Sequence, residues 1–208
     1  MADLKITGEN IYLRFVESDD MTTLATAVTG VSIYGGLPTE NEQKAEYYLW
    51  NKQNQLLFSQ RNLADTDKGH LNCTVCLKSN DSIIGYNLTK YLGKEVFSHM
   101  SAIIPSERRK SYYSELMALR HKFIFDSSGL NATKSTITIP TTASDINTSV
   151  RTALDSLYTT NVETLNFSEQ GEYRKAEITA AEWATWINHS DRSTLKNQSY
   201  TITTWTGA

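Results

Sequence analysis

A mixed α/β fold, with a mostly antiparallel central sheet flanked by helices, is predicted by three observations. Runs rich in β-branched and aromatic residues recur along the chain, as in Ile11–Phe15 and Thr133–Ile139. Between them the apolar period lengthens from two to three or four, as at Tyr112, Leu116, Leu119 and Phe123. Three strand-like runs also follow one another directly, around His70–Lys78, Ile83–Tyr91 and Val96–Ile104, and turn-forming Ser79-Asn80-Asp81 and Gly93 join them as an antiparallel meander.

The remaining elements follow in order. Ile11–Phe15 is a strand, and Ser18-Asp19-Asp20 after it can cap a helix running to about Val28. Beyond Gly35-Gly36 and Pro38, Thr39-Glu40-Asn41-Glu42 can cap a second helix, with Tyr47, Tyr48, Leu49, Trp50 and Leu56 on its apolar side. After the meander, Lys110–Phe125 is helical and Gly129 marks where the chain leaves it. Thr133–Ile139 is a strand closed by Pro140, and Ser144-Asp145 can cap a helix reaching about Leu157. Strands near Val162–Phe167 and Tyr173–Thr179 lead into a short helix with Trp183 and Trp186, and Tyr200–Trp205 alternates like an edge strand or attachment arm.

A chain of 208 residues has room for one sizeable core, expected over residues 1–189, with residues 190–208 as a β-rich extension able to reach a protein partner in an assembly. With 39% hydrophobic and 21% charged residues and only 3 prolines, the balance is that of a folded globule. The net charge is -3 and the cations are scattered apart from Arg108-Arg109-Lys110. No broad basic face is therefore laid out for nucleic acid or an anionic membrane, whereas a small anionic ligand fits. The N-terminus lacks the apolar run of a signal peptide, and nowhere do 18 apolar residues run together. A cytoplasmic protein is expected. Its richness in Asn, Ser and Thr is compatible with an AT-rich genome, including that of a phage, for which the location would be host cytoplasm or virion. Cys73 and Cys76 form a lone C-x-x-C on a strand, too few ligands for a zinc site, and are read as ordinary strand residues.

The order β-α-α-β-β-β-α-β-α-β-β resembles that of the GNAT superfamily of N-acetyltransferases. The similarity is sharpest at Ser101-Ala-Ile-Ile-Pro-Ser-Glu-Arg-Arg-Lys-Ser-Tyr-Tyr-Ser-Glu-Leu-Met117, which resembles the family's fourth strand, pyrophosphate turn and third helix, "V-x-P-x-x-R-G-x-G-x-G/A-x-x-L". Pro105, Arg108, Lys110 and Leu116 fall in register. Gly171–Trp183 is similar to the final strand and "T-x-x-E-W" ending of ribosomal-protein-type N-acetyltransferases, and Ile11–Asp20 to their opening "L-R-x-x-x-x-D".

The resemblance implies acetyl-CoA as cofactor, held by Ile103 and Ile104 on the strand, by Arg108, Arg109, Lys110, Ser111, Tyr112 and Tyr113 on the turn, and by Asn147 at the start of the next helix. It implies transfer to an amine acceptor, a protein N-terminus, a lysine or a small molecule. An independent physical argument concerns the same turn. A strand handing over to a helix leaves the first helical N–H groups unpaired at the positive end of the dipole, which suits a pyrophosphate.

Three positions depart from the family's wording. Arg109, Ser111 and Tyr113 stand where glycine is usual, and glycine there lets phosphate approach the backbone. Ser111 is small. The Tyr113 ring has either to turn away from the cofactor or to fill part of its space. By the resemblance, Phe97 lies close to the position of the family's usual strand glutamate, and Leu154 falls near its usual helix tyrosine when Asn147 is aligned with the helix-start asparagine. His99, two residues from Phe97, is the candidate base with a pKa suited to neutral pH, and Tyr158 the candidate acid. His121, among apolar neighbours, reads as packing. The alternative function is a GNAT-like protein without catalysis, serving as a structural or interaction component of a phage assembly.

Overall fold

The computed structural model describes residues 4–20, 23–24, 68–141, 148–167, 171–197 and 199–203. Nine described strands form one sheet: β1 Lys5–Thr7, β2 Ile11–Phe15, β3 Lys68–Leu77, β4 Ile83–Leu92, β5 Glu95–Ile103, β6 Lys134–Pro140, β7 Thr160–Phe167, β8 Gly171–Thr179 and β9 Thr201–Thr203. Their order across the sheet is β7-β8-β6-β5-β4-β3-β2-β1-β9. Every pairing is antiparallel except that of β5 with β6. The described helices are α1 Tyr112–Phe125, α2 Thr148–Leu157, α3 Ala180–Ile187 and α4 Ser193–Asn197. The helix expected at Thr39–Leu56 lies outside the described residues, as does most of that expected after Asp20.

The mixed sheet is therefore that expected, and the meander β3-β4-β5 forms as the turn residues dictate. Two elements lack a sequence signal, the three-residue β1 and the five-residue α4. The alternating tail becomes β9, which pairs with β1 through Lys5↔Thr203, Ile6↔Ile202 and Thr7↔Thr201.

Two apolar clusters hold the layers together. The first joins Leu13, Val75, Cys73 and Ile103 on the sheet to Leu116, Leu119 and Phe123 on α1. The second joins Ile137 on β6 and Ile178 on β8 to Leu154 and Leu157 on α2 and Trp183 on α3. Met117 belongs to the second cluster, so α1 reaches both halves of the sheet. Each fully buried aliphatic or aromatic side chain contributes about 1.5–3 kcal/mol.

Local polar contacts explain why the motifs read in the sequence have the residues they have. Arg14 grips Asp20 with both terminal nitrogens, at 2.7 and 2.8 Å, and the same carboxylate accepts from Thr74 Oγ1 at 2.7 Å and the Glu17 N–H at 2.9 Å. Burial alone would raise the Asp20 pKa, but these donors hold it below the usual carboxylate range. At the other end of the chain, Thr179 and Glu182 form a capping box. The Glu182 N–H donates to Thr179 Oγ1, and the Glu182 carboxylate accepts from the Thr179 N–H at 2.7 Å. Gly129 is required where α1 ends, because a Cβ there would lie 2.0 Å from the Phe123 carbonyl oxygen. Cys73 and Cys76 are both buried thiols.

Candidate functional site

Strand β5 and strand β6 share only two residue pairs, Glu95↔Lys134 and Val96↔Ser135. Beyond them the strands part, leaving a wedge between Phe97–Ile103 and Thr136–Pro140 whose wide end is the C-terminus of β5. Chain reversal at that end builds the turn singled out in the sequence. Ile104 ties β5 to its neighbour through an N–H donating to the Ile84 carbonyl at 2.8 Å, and a 3-10 turn over Pro105–Glu107 follows.

The turn keeps glycine-like backbone without glycine. Arg109 and Ser111 have φ of 65° and 64°, in the left-handed region where a Cβ costs roughly 1–2 kcal/mol. Ser111 is the N-cap of α1, and its side chain makes no capping hydrogen bond. Its carbonyl accepts from the N–H groups of Ser114 and Glu115. The first-turn N–H groups of α1 thus have no capping side chain and point out of the helix end.

Around this end, Arg108 Nε donates to the Ile103 carbonyl at 2.9 Å, and Lys110 is paired with Glu107 at 3.0 Å. Arg109 is exposed and has no partner among the described residues. Tyr112 and Tyr113 are half-buried and pack against the first apolar cluster, so neither ring stands free over the turn. An open groove of about 400 Å³ runs between this end of α1 and α4, lined by Lys110, Ser111, Tyr112, Ser114, Thr194 and Leu195 among others. Of the residues expected at the turn, Ile103, Ile104 and Arg108 through Tyr113 therefore fall together. Asn147 lies outside the described residues.

Further into the wedge, β5 carries a bulge. Lys90 pairs with Ser98 and Tyr91 with Val96, so Phe97 is the extra residue. His99 stands opposite Thr89 on β4. The side chains of residues 97–100 lie outside what is described.

At the narrow end, Tyr158 is fully buried, with its hydroxyl 2.6 Å from His121 Nε2 and 3.1 Å from Ser135 Oγ on β6. His121 Nδ1 is 2.7 Å from the Met117 carbonyl, which can only accept. Nδ1 therefore carries the proton, and Nε2 accepts from the Tyr158 hydroxyl. Burial first, and the neighbouring Arg120 charge second, push the His121 pKa well below its usual value, which keeps the ring neutral. Burial pushes the Tyr158 phenol up to about 12. The imidazole also stacks on Trp183 at 5.0 Å between centroids, so His121 is the packing residue that its apolar neighbours suggest. Tyr158, expected as an acid at the reaction centre, has its proton held by this buried pair.

Sequence reasoning missed two charged residues on α1. Glu115 is 3% exposed and accepts from the Asn10 N–H, the Ile11 N–H and Asn10 Nδ2 at 2.8, 3.2 and 3.0 Å. Gly8 permits this approach, since a Cβ there would lie 2.5 Å from Glu115 Oε1. Arg120 is also 3% exposed, donates from one terminal nitrogen to Ser101 Oγ at 2.8 Å, and has its Nε buried without a partner. Ser101 in turn donates to Asn87 Oδ1 at 2.9 Å, and Asn87 Nδ2 donates to Thr89 Oγ1 at 3.3 Å. The available signal was position, because Tyr113, Met117, Arg120 and Ile124 form a helical stripe that is otherwise apolar or aromatic.

No protein-family model and no curated protein matches the sequence. Solved structures do match in three dimensions. A GNAT-family acetyltransferase from Bacillus anthracis superposes with TM-score 0.62 at 15% identity, covering 85% of this chain and 99% of that one. A nucleotide-linked sugar GNAT gives TM-score 0.63 at 13% identity over 90% and 97% of the two chains. Spermidine/spermine N-acetyltransferase SpeG from Vibrio cholerae gives 0.57 at 13% over 85% and 96%. The chain has the GNAT fold. No described helix is long and apolar enough to cross a membrane, and no group of three or more His, Cys, Asp or Glu among the described residues is placed to hold a metal ion.

Proposed function

Proceeding from the GNAT fold, we propose that this chain is an N-acyltransferase of the cytoplasm that uses acetyl-CoA and delivers the acetyl group to an amine of a protein or small molecule. The observation that carries the reading is the backbone of the turn. Arg109 and Ser111 occupy the left-handed conformation that glycine supplies in the family's wording, although neither residue favours it. Strain held at a turn with an uncapped helix end is most simply explained by a ligand that uses that backbone.

The residues present fit the group. The N-terminus of α1 offers its N–H groups and dipole to a pyrophosphate, with Arg109 unpaired among the described residues and Arg108 still offering its terminal nitrogens. Ile104, half-buried at the edge of the wedge, would offer apolar surface to the pantetheine arm, while Ile103 is buried in the first apolar cluster and holds the strand end in place. Acetyl-CoA supplies an activated thioester, and the wedge would exclude water from it. Asn147 remains a cofactor contact by resemblance alone. His99 remains the candidate base, with its backbone next to the bulge. For the acceptor, relatives in fold include proteins named for spermidine and for a nucleotide-linked sugar, so a polyamine, a protein amine and an amino sugar are the classes to assay first. The alternative of an inert assembly component gains no support from the tail strand, since Thr201–Thr203 is taken up by pairing with β1.

The test is thermal unfolding with acetyl-CoA. Millimolar ligand should raise the melting temperature, since a ligand confined to the native state stabilises it by about 2.7 kcal/mol at a hundredfold excess over Kd. Arg109→Ala should weaken the shift. Absence of any shift in the parent overturns the proposal.

A further inference from the structure

We propose that Arg120 is the residue that receives the negative charge left on sulphur when the acyl group departs. This rests on the reading of the turn as an acetyl-CoA site and adds a role at the other end of the same cofactor. A buried guanidinium normally has a carboxylate or a full set of acceptors, because a charge left unpaired in a low dielectric loses its hydration without compensation. Arg120 has neither. It is 3% exposed, no carboxylate among the described residues pairs with it, one terminal nitrogen is spent on the neutral Ser101 hydroxyl, and Nε is buried with no acceptor.

Its place in the fold selects the ligand. Ser101 lies on β5 and Tyr158 is bonded to Ser135 on β6, and the Arg120 charge acts on both Tyr158 and His121. The guanidinium therefore lies where the two strands part. It follows Tyr112, the first residue of α1, by eight residues, which at 1.5 Å each sets it about 12 Å along the helix from the turn. A cofactor with its pyrophosphate at the turn and its arm in the wedge would bring its sulphur into this region. In transfer to an amine a C–N bond forms, the C–S bond breaks, the electron pair stays on sulphur, and the proton leaves the nitrogen for a base or water. A residue that cannot lose its own proton can still stabilise that thiolate by a charged hydrogen bond. Such a group would complement the acid, since by the resemblance Leu154 falls near the family's usual tyrosine and the Tyr158 hydroxyl is bonded to His121 Nε2.

The test is calorimetric titration of the full chain with free CoA and with acetyl-CoA, at pH 6.5 and pH 9. A free cysteine thiol has a pKa of about 8.5, and the CoA thiol likewise gives up its proton on the alkaline side, so its thiolate fraction rises across this range while the thioester has no proton to lose. The titratable groups facing Arg120 are His121 on α1, Tyr113 two turns earlier, and Tyr158 after α2, while β4 and β5 present Asn87, Thr89 and Ser101 among the described side chains. His121 is already neutral at pH 6.5 and Tyr158 still protonated at pH 9.

The preference for CoA over acetyl-CoA should grow about tenfold from pH 6.5 to pH 9 in the parent, the size of one charged hydrogen bond. The growth should vanish in Arg120→Met and persist in part in Arg120→Lys, which also serves if the methionine variant does not fold. A melting temperature for unliganded Arg120→Met at or above that of the parent would further mark the arginine as serving a ligand. A preference that is equal at both pH values, or that grows alike in parent and variants, overturns the role of Arg120 and leaves the proposed function standing. Binding of neither ligand overturns both.

Discussion

Two buried charges on the same helix, five residues apart, stand in opposite conditions. Glu115 accepts three hydrogen bonds from the β1–β2 turn, and Gly8 is there to let it come close. Arg120, equally buried, has one neutral partner among the described residues and an orphaned nitrogen. The first arrangement is complete without a ligand and ties α1 to the edge of the sheet. The second is incomplete among the described residues, and it lies where the sheet divides. Burial of a charge alone therefore says little about its purpose. The count of satisfied donors and acceptors separates a strut from a site.

The contrast can be broken at either residue. Glu115→Gln should show the largest effect, a loss of about 3 kcal/mol in urea unfolding, because two backbone N–H groups lose a charged acceptor in a buried place. A loss below about 1 kcal/mol would mean that the turn finds other acceptors. Next comes His121, which lies beside Arg120 and is held neutral. In the unfolded chain it takes up a proton below about pH 6.5, whereas in the fold it resists doing so, so the unfolded state binds more protons and stability falls as pH falls. Unfolding measured between pH 6.5 and 5 should lose up to about 1.4 kcal/mol per unit, and His121→Gln should flatten that slope.

Arg120→Met should do the reverse of Glu115→Gln, adding about 1 kcal/mol in the same urea experiment, as expected when an unpaired buried charge becomes apolar. A clear loss would place Arg120 with Glu115 as a structural group. The smallest effects belong to the turn. Arg109→Gly and Ser111→Gly should each change stability by less than about 1 kcal/mol, since relief of the left-handed backbone is offset by added freedom in the unfolded chain. Melting curves with and without acetyl-CoA would show whether the relaxed backbone tightens the cofactor or only eases the fold.

Much of the architecture could be read in advance because it rests on local rules. Period-two runs and turn residues located β3, β4 and β5, the spacing of Tyr112, Leu116, Leu119 and Phe123 located α1, and the segment with Trp183 and Trp186 located α3. The turn from Ile103 to Tyr113 was legible as a strand handing over to a helix. Its left-handed backbone at Arg109 and Ser111 was not, since nothing in those residue types asks for it. Arg120 could be placed on a helical stripe, but whether a carboxylate would meet it depends on β4, β5 and α2, far away in sequence. The bond between Tyr158 and His121 was hidden for a similar reason, because it spans 37 positions of chain. The bulge at Phe97 is a matter of register between two strands, and single-strand alternation carries no trace of it.

In mechanical terms the sheet is two plates joined at one corner. Only Glu95–Lys134 and Val96–Ser135 stitch β5 to β6, and α1 lies over the joint as a splint with Leu116 in one cluster and Met117 in the other. Load that spreads the plates falls on side-chain packing along the helix more than on backbone hydrogen bonds. Amide exchange should therefore be slowest in the interior of β3 and β4 and faster beside the stitch, and a molecule seated in the gap should slow it there first.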